Sequence, residues 1–171
     1  NTSDSGDDLT AFNSDGFTLG PVHQGNSTNV SGGSIVAWGW DMGNTTSTGH
    51  SQSNIDSVYR ANATYGQSVL TYTGDGQAGQ SVAHGLSTTV DFFMVKNRTD
   101  DSTDWYVYHK DVSGQANAQT LNLNNTDAAV TEGSWASYGP TANTITVHNS
   151  GGTNINAKNY VAYVFEEITG Y

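Results

Sequence analysis

Apolar and polar residues alternate in short bursts through most of this chain. The stretches "QSVLTYT" at 67–73, "FFMVKN" at 92–97, "WYVYH" at 105–109, "TITV" at 144–147 and "YVAYVFE" at 160–166 follow a period of two, the signature of a strand with one face buried and the other wet. The pattern predicts strands near Phe17 to Leu19, Ile35 to Trp40, Ile55 to Arg60, Gln67 to Thr73, Gln80 to His84, Asp91 to Lys96, Trp105 to His109, Gln119 to Leu123, Thr144 to Val147 and Tyr160 to Glu166. Turn formers punctuate them, as in "TGDGQAG" and "NRTDDSTD", because Gly, Asn and Asp supply the backbone angles and local hydrogen bonds that turns require. The alternating runs on either side of "NRTDDSTD" make the strongest hairpin in the chain. A period of 3.6 is nearly absent, and a helical turn near Asp127 to Trp135 is its one candidate. "NTSDSGDD" at the start is polar and loose, and "GNTTSTGHSQSN" reads as a long exposed connection. The expected fold is all-β: an antiparallel β-sandwich, jelly-roll or concanavalin-like, with little helix.

The closing phrase of the chain is written twice. Ile35, Val36, Ala37, Trp38 and Trp40 fall opposite Tyr160, Val161, Ala162, Tyr163 and Phe165 at one constant offset, which also sets Thr28, Asn29 and Val30 opposite Thr153, Asn154 and Ile155. A gap of three residues brings "FTL" at Phe17 onto "ITV" at Ile145. Repetition of this kind redefines the domain: residues 1–48 read as the closing hairpin and linker of a preceding unit, packed on a complete sandwich unit at 49–171. The hairpin around Phe17 and Trp38 is expected to take a place equivalent to that around Ile145 and Tyr163, or to complete the second unit's sandwich.

Composition narrows the function. A chain of 171 residues suffices for one domain that buries roughly 70% of the unfolded chain's surface. Cysteine is absent, so neither disulfides nor thiolate metal sites are available. The net charge is −11, with Arg60, Arg98, Lys96, Lys110 and Lys158 as the fixed cations, which disfavours nucleic acid and anionic membranes, since both demand clustered positive charge. There is no signal-like segment and no apolar run of membrane-spanning length, and Asn1 reads as a processed or internal start. Polarity comes mostly from Asn, Ser, Thr, Gly and Gln, which suits extracellular or virion-surface β proteins.

Several motifs together resemble a repeated domain of large tailed-phage virion proteins, often the tail-fibre-like chains of marine phages. They are "SVLTYTGDGQAGQSVAHGL", "DFFMVKNRTDDSTDWYVYHKD", "LNLNNTDAAV", "SWASYGPTANTITV" and "NYVAYVFEEITGY". The earlier pieces "TAFNSDGFTLG", "SIVAWGW" and "IDSVYRANATYGQSVLTYTG" resemble the end of one such unit and the link to the next. Two positions depart: where the resembled domain often has a proline before the aspartate and a cysteine in the last strand, this chain has Val90 and Val164. The resemblance implies tandem β units on a virion, other virion proteins as neighbours, and a homo-oligomer, commonly a trimer.

Chemistry candidates are sparse. Asp100, Asp101 and Asp104 in "DDSTD" either shape a hairpin tip or, with carbonyl oxygens, hold calcium; a helix-loop-helix calcium site would also need glycine and glutamate where Trp105 and Asp111 stand. His23, His50, His84, His109 and His148 lack a short ligand spacing, and for His84 and His109 a strand-end hydrogen bond is the expected role. Hydrolysis of a polysaccharide needs two facing carboxylates. Glutamate is confined to Glu132, Glu166 and Glu167, the last two on opposite faces of a strand, and no nucleophile elbow, phosphate loop or dinucleotide fingerprint appears.

Sugar binding needs only exposed rings beside polar groups. Trp135 and Tyr138, in a Gly/Ser/Pro setting, with Asn122, Asn124 and Asn125 nearby in sequence, are the expected ligand-binding residues. Alternation puts Trp105 and Val107 on one face and Tyr106 and Tyr108 on the other, so one set is buried; Trp38 and Trp40 read as core. Asn-x-Ser/Thr sites at Asn26, Asn29, Asn44, Asn62, Asn97 and Asn124 would accept sugars only in a secreted eukaryotic protein. The expectation is a non-enzymatic virion-surface module that binds host surface polysaccharide without a cofactor. Its rival is a decoration or assembly domain with no ligand.

Overall fold

The computed structural model describes residues 9–21, 28–43, 45–49, 52–100, 102–113, 118–131, 133–135, 138–149 and 152–170. The chain divides into two compact units, Asn1–Trp40 and Asp41–Tyr171.

In the first unit β1 (Leu9–Asn13) and β2 (Gly16–Leu19) form an antiparallel hairpin across Ser14 and Asp15, with Phe12 opposite Phe17. Residues 34–40 carry the alternation of a strand but adopt none. Trp38 is 73% and Trp40 40% exposed, so neither is core. The expected pairing of the Phe17 and Trp38 segments is absent as well. A strand exists only where a neighbour takes up its backbone hydrogen bonds, and β2 pairs with β1 instead.

In the second unit β3 (Ser47–Gly49), β4 (Ser57–Asn62), β5 (Gln67–Thr73), β7 (Phe92–Asn97), β8 (Trp105–His109), β9 (Leu121–Asn122) and β11 (Asn159–Phe165) make one sheet in the order β3-β4-β5-β11-β7-β8-β9. A second pair, β6 (Gln80–Ala83) and β10 (Thr144–Val147), is joined antiparallel with Ile145 opposite Val82. The unit is thus an all-β antiparallel sandwich. Its helix α1 is four residues long, Lys110–Ser113, and residues 127–131 and 133–135 hold no helix. Strand β3 lies inside the segment expected to be only a connection, because Thr48 and Gly49 pair with Val58 and Ser57.

Alternation decides the layers. In the seven-stranded sheet the inner rows, Leu70 and Tyr72 of β5, Tyr160, Ala162 and Val164 of β11, Phe93 and Val95 of β7, and Tyr108 of β8, meet Val82, Ile145 and Val147 in one apolar core. The Tyr72 and Tyr160 rings stack at 4.9 Å. Tyr72 hydroxyl donates to the Thr153 carbonyl at 2.6 Å, and Tyr160 hydroxyl accepts from Ile155 N at 2.9 Å, so each buried phenol keeps a partner. Asn154, fully buried, uses its amide in the same way: Oδ1 accepts from Asp75 N at 3.0 Å, while Nδ2 donates to Asp75 Oδ1 at 2.7 Å and to the Gln77 carbonyl at 2.8 Å. That residue pins the β5–β6 loop to the turn ahead of β11.

Candidate functional site: the outer sheet face

The core takes one face of the seven-stranded sheet, and the other is strongly apolar for a face in contact with water. Register sets its side chains in three rows. The first runs Val58, Thr71, Val161, Lys96, Trp105; the second Arg60, Val69, Tyr163, Met94, Val107, Leu121; the third Asn62, Gln67, Phe165, Phe92, His109. Inner positions of β11 are 0% exposed, whereas Val161, Tyr163 and Phe165 are half-buried. Val58 is 47% exposed, and Val107 at 5% is the closed spot on the face. Trp105 faces outward and Tyr108 inward, as alternation requires.

Aromatic rings line this face from one corner to the other. Trp105 lies 6.2 Å from Tyr163 in a tilted pair, Phe165 lies 5.8 Å from Phe92, and Phe92 lies 6.1 Å edge-on from His109. Lys96 reaches from β7 to the Thr103 carbonyl, which keeps its charge at the hairpin side of the face.

The third row ends in a charged cleft of about 400 Å³ lined by Asp91, Phe92, His109, Lys110, Asp111, Phe165, Glu166 and Glu167. Lys110 Nζ lies 2.7 Å from Glu167 Oε2 and 3.4 Å from Asp91 Oδ1, and the hydrogen bond it donates to Glu167, with both carboxylates nearby, raises its pKa. Asp91 Oδ2 accepts from Glu167 N at 2.6 Å. Burial, and then the charge of Asp91, raises the Glu166 carboxyl above its ordinary value, and Glu166 Oε2 is buried without a partner among the described residues. His109 Nδ1 accepts from Asp111 N at 3.2 Å, a strand-end hydrogen bond that opens α1. An array of rings beside hydroxyl-seeking carboxylates and one ammonium suits a ligand with both apolar faces and hydroxyls.

The residues expected from sequence to bind ligand do not converge there. Trp135 is 1% exposed and stands edge-on to Phe93 at 4.7 Å, so it is core and offers no stacking surface. Tyr138 is 68% exposed. Asn124 ties down the start of β8, accepting from Trp105 N at 2.9 Å and donating to Asp104 Oδ1 at 2.8 Å. Asn125 Oδ1 accepts from Asp127 N at 3.1 Å within its turn, and Asn122 Oδ1 is buried without a partner among the described residues. Asn124 and Asn125 therefore serve a strand end and a turn.

The calcium alternative meets a similar arrangement. Asp100 Oδ1 accepts from Ser102 N and Oγ at 3.1 and 2.7 Å, which depresses its pKa, and Asp104 is engaged by Asn124. Asp101 lies outside the described residues, and no cluster of three potential metal ligands occurs among those described. Of the histidines, His23 and His50 lie outside the described residues, as does Glu132.

Fold and face together define a β-sandwich module with one ring-lined sheet surface. The chain belongs to the domain of unknown function family DUF7483, whose profile matches residues 1–171. No curated protein and no solved structure matches the chain. Sequence reasoning missed Phe92, Tyr163 and Phe165 as surface residues. The period of two identifies which residues share a face, but both faces of β11 are apolar, so the pattern does not say which one the core takes.

Proposed function

We propose that this chain is a non-enzymatic attachment module of a tail-fibre-like phage virion protein, and that it binds a host surface polysaccharide on the outer face of its large sheet. The observation that carries the reading is the ring row from Trp105 through Tyr163 to Phe165, Phe92 and His109, which opens into the cleft of Asp91, Lys110 and Glu167. Rings present flat apolar surfaces to the C–H faces of sugars, and the cleft supplies acceptors and one cation for hydroxyls. The virion setting, the extracellular location and a homo-oligomeric, trimeric state follow the resemblance of the motifs. The carboxylates Asp91 and Glu167 already share Lys110, which supports binding over hydrolysis.

The test is retention of the labelled chain on candidate host cells before and after their polysaccharide is stripped. Stripping is expected to abolish binding. Trp105→Ala and Tyr163→Ala are each expected to weaken it about tenfold, as loss of one aromatic contact implies, while Tyr138→Ala leaves it unchanged. Binding that survives stripping, or that ignores Trp105 and Tyr163, overturns the reading. The ligand-free assembly role is the second reading, favoured by the exposed apolar residues of the first unit, with Phe12 at 84% and Val36 at 68%.

A further inference from the structure

We propose that residues 16–19 and 35–40 are the closing strands of another copy of the β unit, and that they pair with the open strand edges of a preceding copy in tandem. The inference is independent of the glycan reading. It rests on what the repeated phrase does where it is complete.

In the second unit the phrase forms β10 and the central strand β11. Ile145, Val147, Tyr160, Ala162 and Val164 are each 0% exposed there, because β11 is hydrogen-bonded to β5 on one edge and β7 on the other, and β10 pairs with β6. In the first unit the positions matching Ile145, Tyr160 and Ala162 stand in solvent: Phe17 is 46% and Ile35 57% exposed, and Ala37 is exposed as well. Phe12, Phe17, Leu19, Ile35, Val36 and Trp38 line an open groove of about 550 Å³. Patches of this kind on a soluble chain mark an interface.

The turn ahead of the strand points the same way. Thr153 and Asn154 hold parts of the unit far upstream: Thr153 Oγ1 donates to the Ser134 carbonyl at 2.7 Å, and Asn154 grips Asp75 and Gln77. The same Thr-Asn pair recurs at Thr28 and Asn29, where Asn29 Nδ2 donates to the nearby Gly20 carbonyl at 3.0 Å. The Thr-Asn pair that precedes the central strand of the second unit thus also precedes residues 35–40 in the first.

The occupant follows from topology. In this chain, and in any second copy of it, the slot between β5 and β7 is filled by β11. The strand at 35–40 therefore needs β5- and β7-like edges that lack their own closing strand, and a preceding tandem unit supplies them. In the matching register Ile35 faces the counterparts of Tyr72 and Asn97, and Ala37 those of Leu70 and Val95. Val36, Trp38 and Trp40 then join that unit's outer face, as Val161, Tyr163 and Phe165 do here.

The test is a tandem chain with residues 41–143 placed ahead of Asn1, read by amide hydrogen exchange at 35–40. A second version runs residue 143 directly into Gly16, which removes competition by β1 for β2. Exchange is expected to slow at least about a hundredfold relative to the single chain, towards the rates of 160–165. A control with the complete unit 41–171 placed ahead of Asn1 has its slot filled and is expected to leave 35–40 exchanging as in the single chain. Unprotected amides in both tandem versions, or equal protection in the control, overturn the proposal.

Discussion

Acidification probes the core through one residue. His84 follows β6, is 0% exposed, and is wired for the neutral imidazole: Nδ1 accepts from Leu86 N at 3.2 Å and Nε2 lies 3.4 Å from the Thr141 carbonyl, to which its proton is donated. Burial lowers its pKa from 6.5 to about 4, against an opposing contribution from the Thr141 hydrogen bond. An unfolded chain titrates near the unperturbed value, so between pH 6.5 and about 4 the unfolded state holds a proton that the folded state lacks. Stability is therefore complete above that window and falls as pH drops through it. The slope approaches about 1.4 kcal/mol per pH unit, and the total loss is about 3 kcal/mol. Glu166 acts with the opposite sign: its raised carboxyl pKa means that the folded state takes up its proton first on acidification, which restores stability. The two are separated by His84→Asn, whose side-chain carbonyl can still accept from Leu86 N but does not titrate. Urea unfolding of both proteins from neutral pH to about 4 is expected to show the wild type losing about 3 kcal/mol more than the variant. Parallel losses in the two proteins would refute the assignment.

Three further predictions concern packing. Trp135→Ala is expected to cost about 3–5 kcal/mol, and Trp135→Phe much less, because it keeps an edge against Phe93 and removes an indole N–H with no acceptor among the described residues; thermal melts of the two variants decide this. Gly85 has φ +76, and an added Cβ would lie 2.1 Å from Tyr59 Cε2, so Gly85→Ala is expected to cost about 2 kcal/mol or more. The double variant with Tyr59→Ala should lose less than the sum of the single losses, measurable as a coupling energy in denaturant unfolding. Asn154→Ala leaves Asp75 N and the Gln77 carbonyl without their partner and is expected to cost about 2–3 kcal/mol. Calorimetry should show that loss in the second unit's transition, while Asn29→Ala leaves the same transition in place.

The alternation in "QSVLTYT", "FFMVKN", "WYVYH" and "TITV" determines by itself that these segments are strands. Their observed bounds, Gln67–Thr73, Phe92–Asn97, Trp105–His109 and Thr144–Val147, follow the pattern within a residue, because period two is a property of the local chain. The turn chemistry of "NRTDDSTD" likewise determines the β7–β8 hairpin, and the strand-end hydrogen bonds of His84 and His109 accord with their place beside turns. Tertiary structure decided the rest. "SIVAWGW" and "NYVAYVF" carry nearly the same pattern, yet the second holds the central strand of a seven-stranded sheet and the first forms no strand, since hydrogen-bonding edges come from residues far away in the chain. Trp135 stands in a segment that looks like a surface loop, and only the stacking of Phe93 and Tyr108 beneath it makes a pocket that buries its indole. The ring row from Trp105 to His109 exists because β11 enters between β5 and β7. That insertion joins residues more than fifty positions apart in the sequence, a juxtaposition that no local pattern encodes.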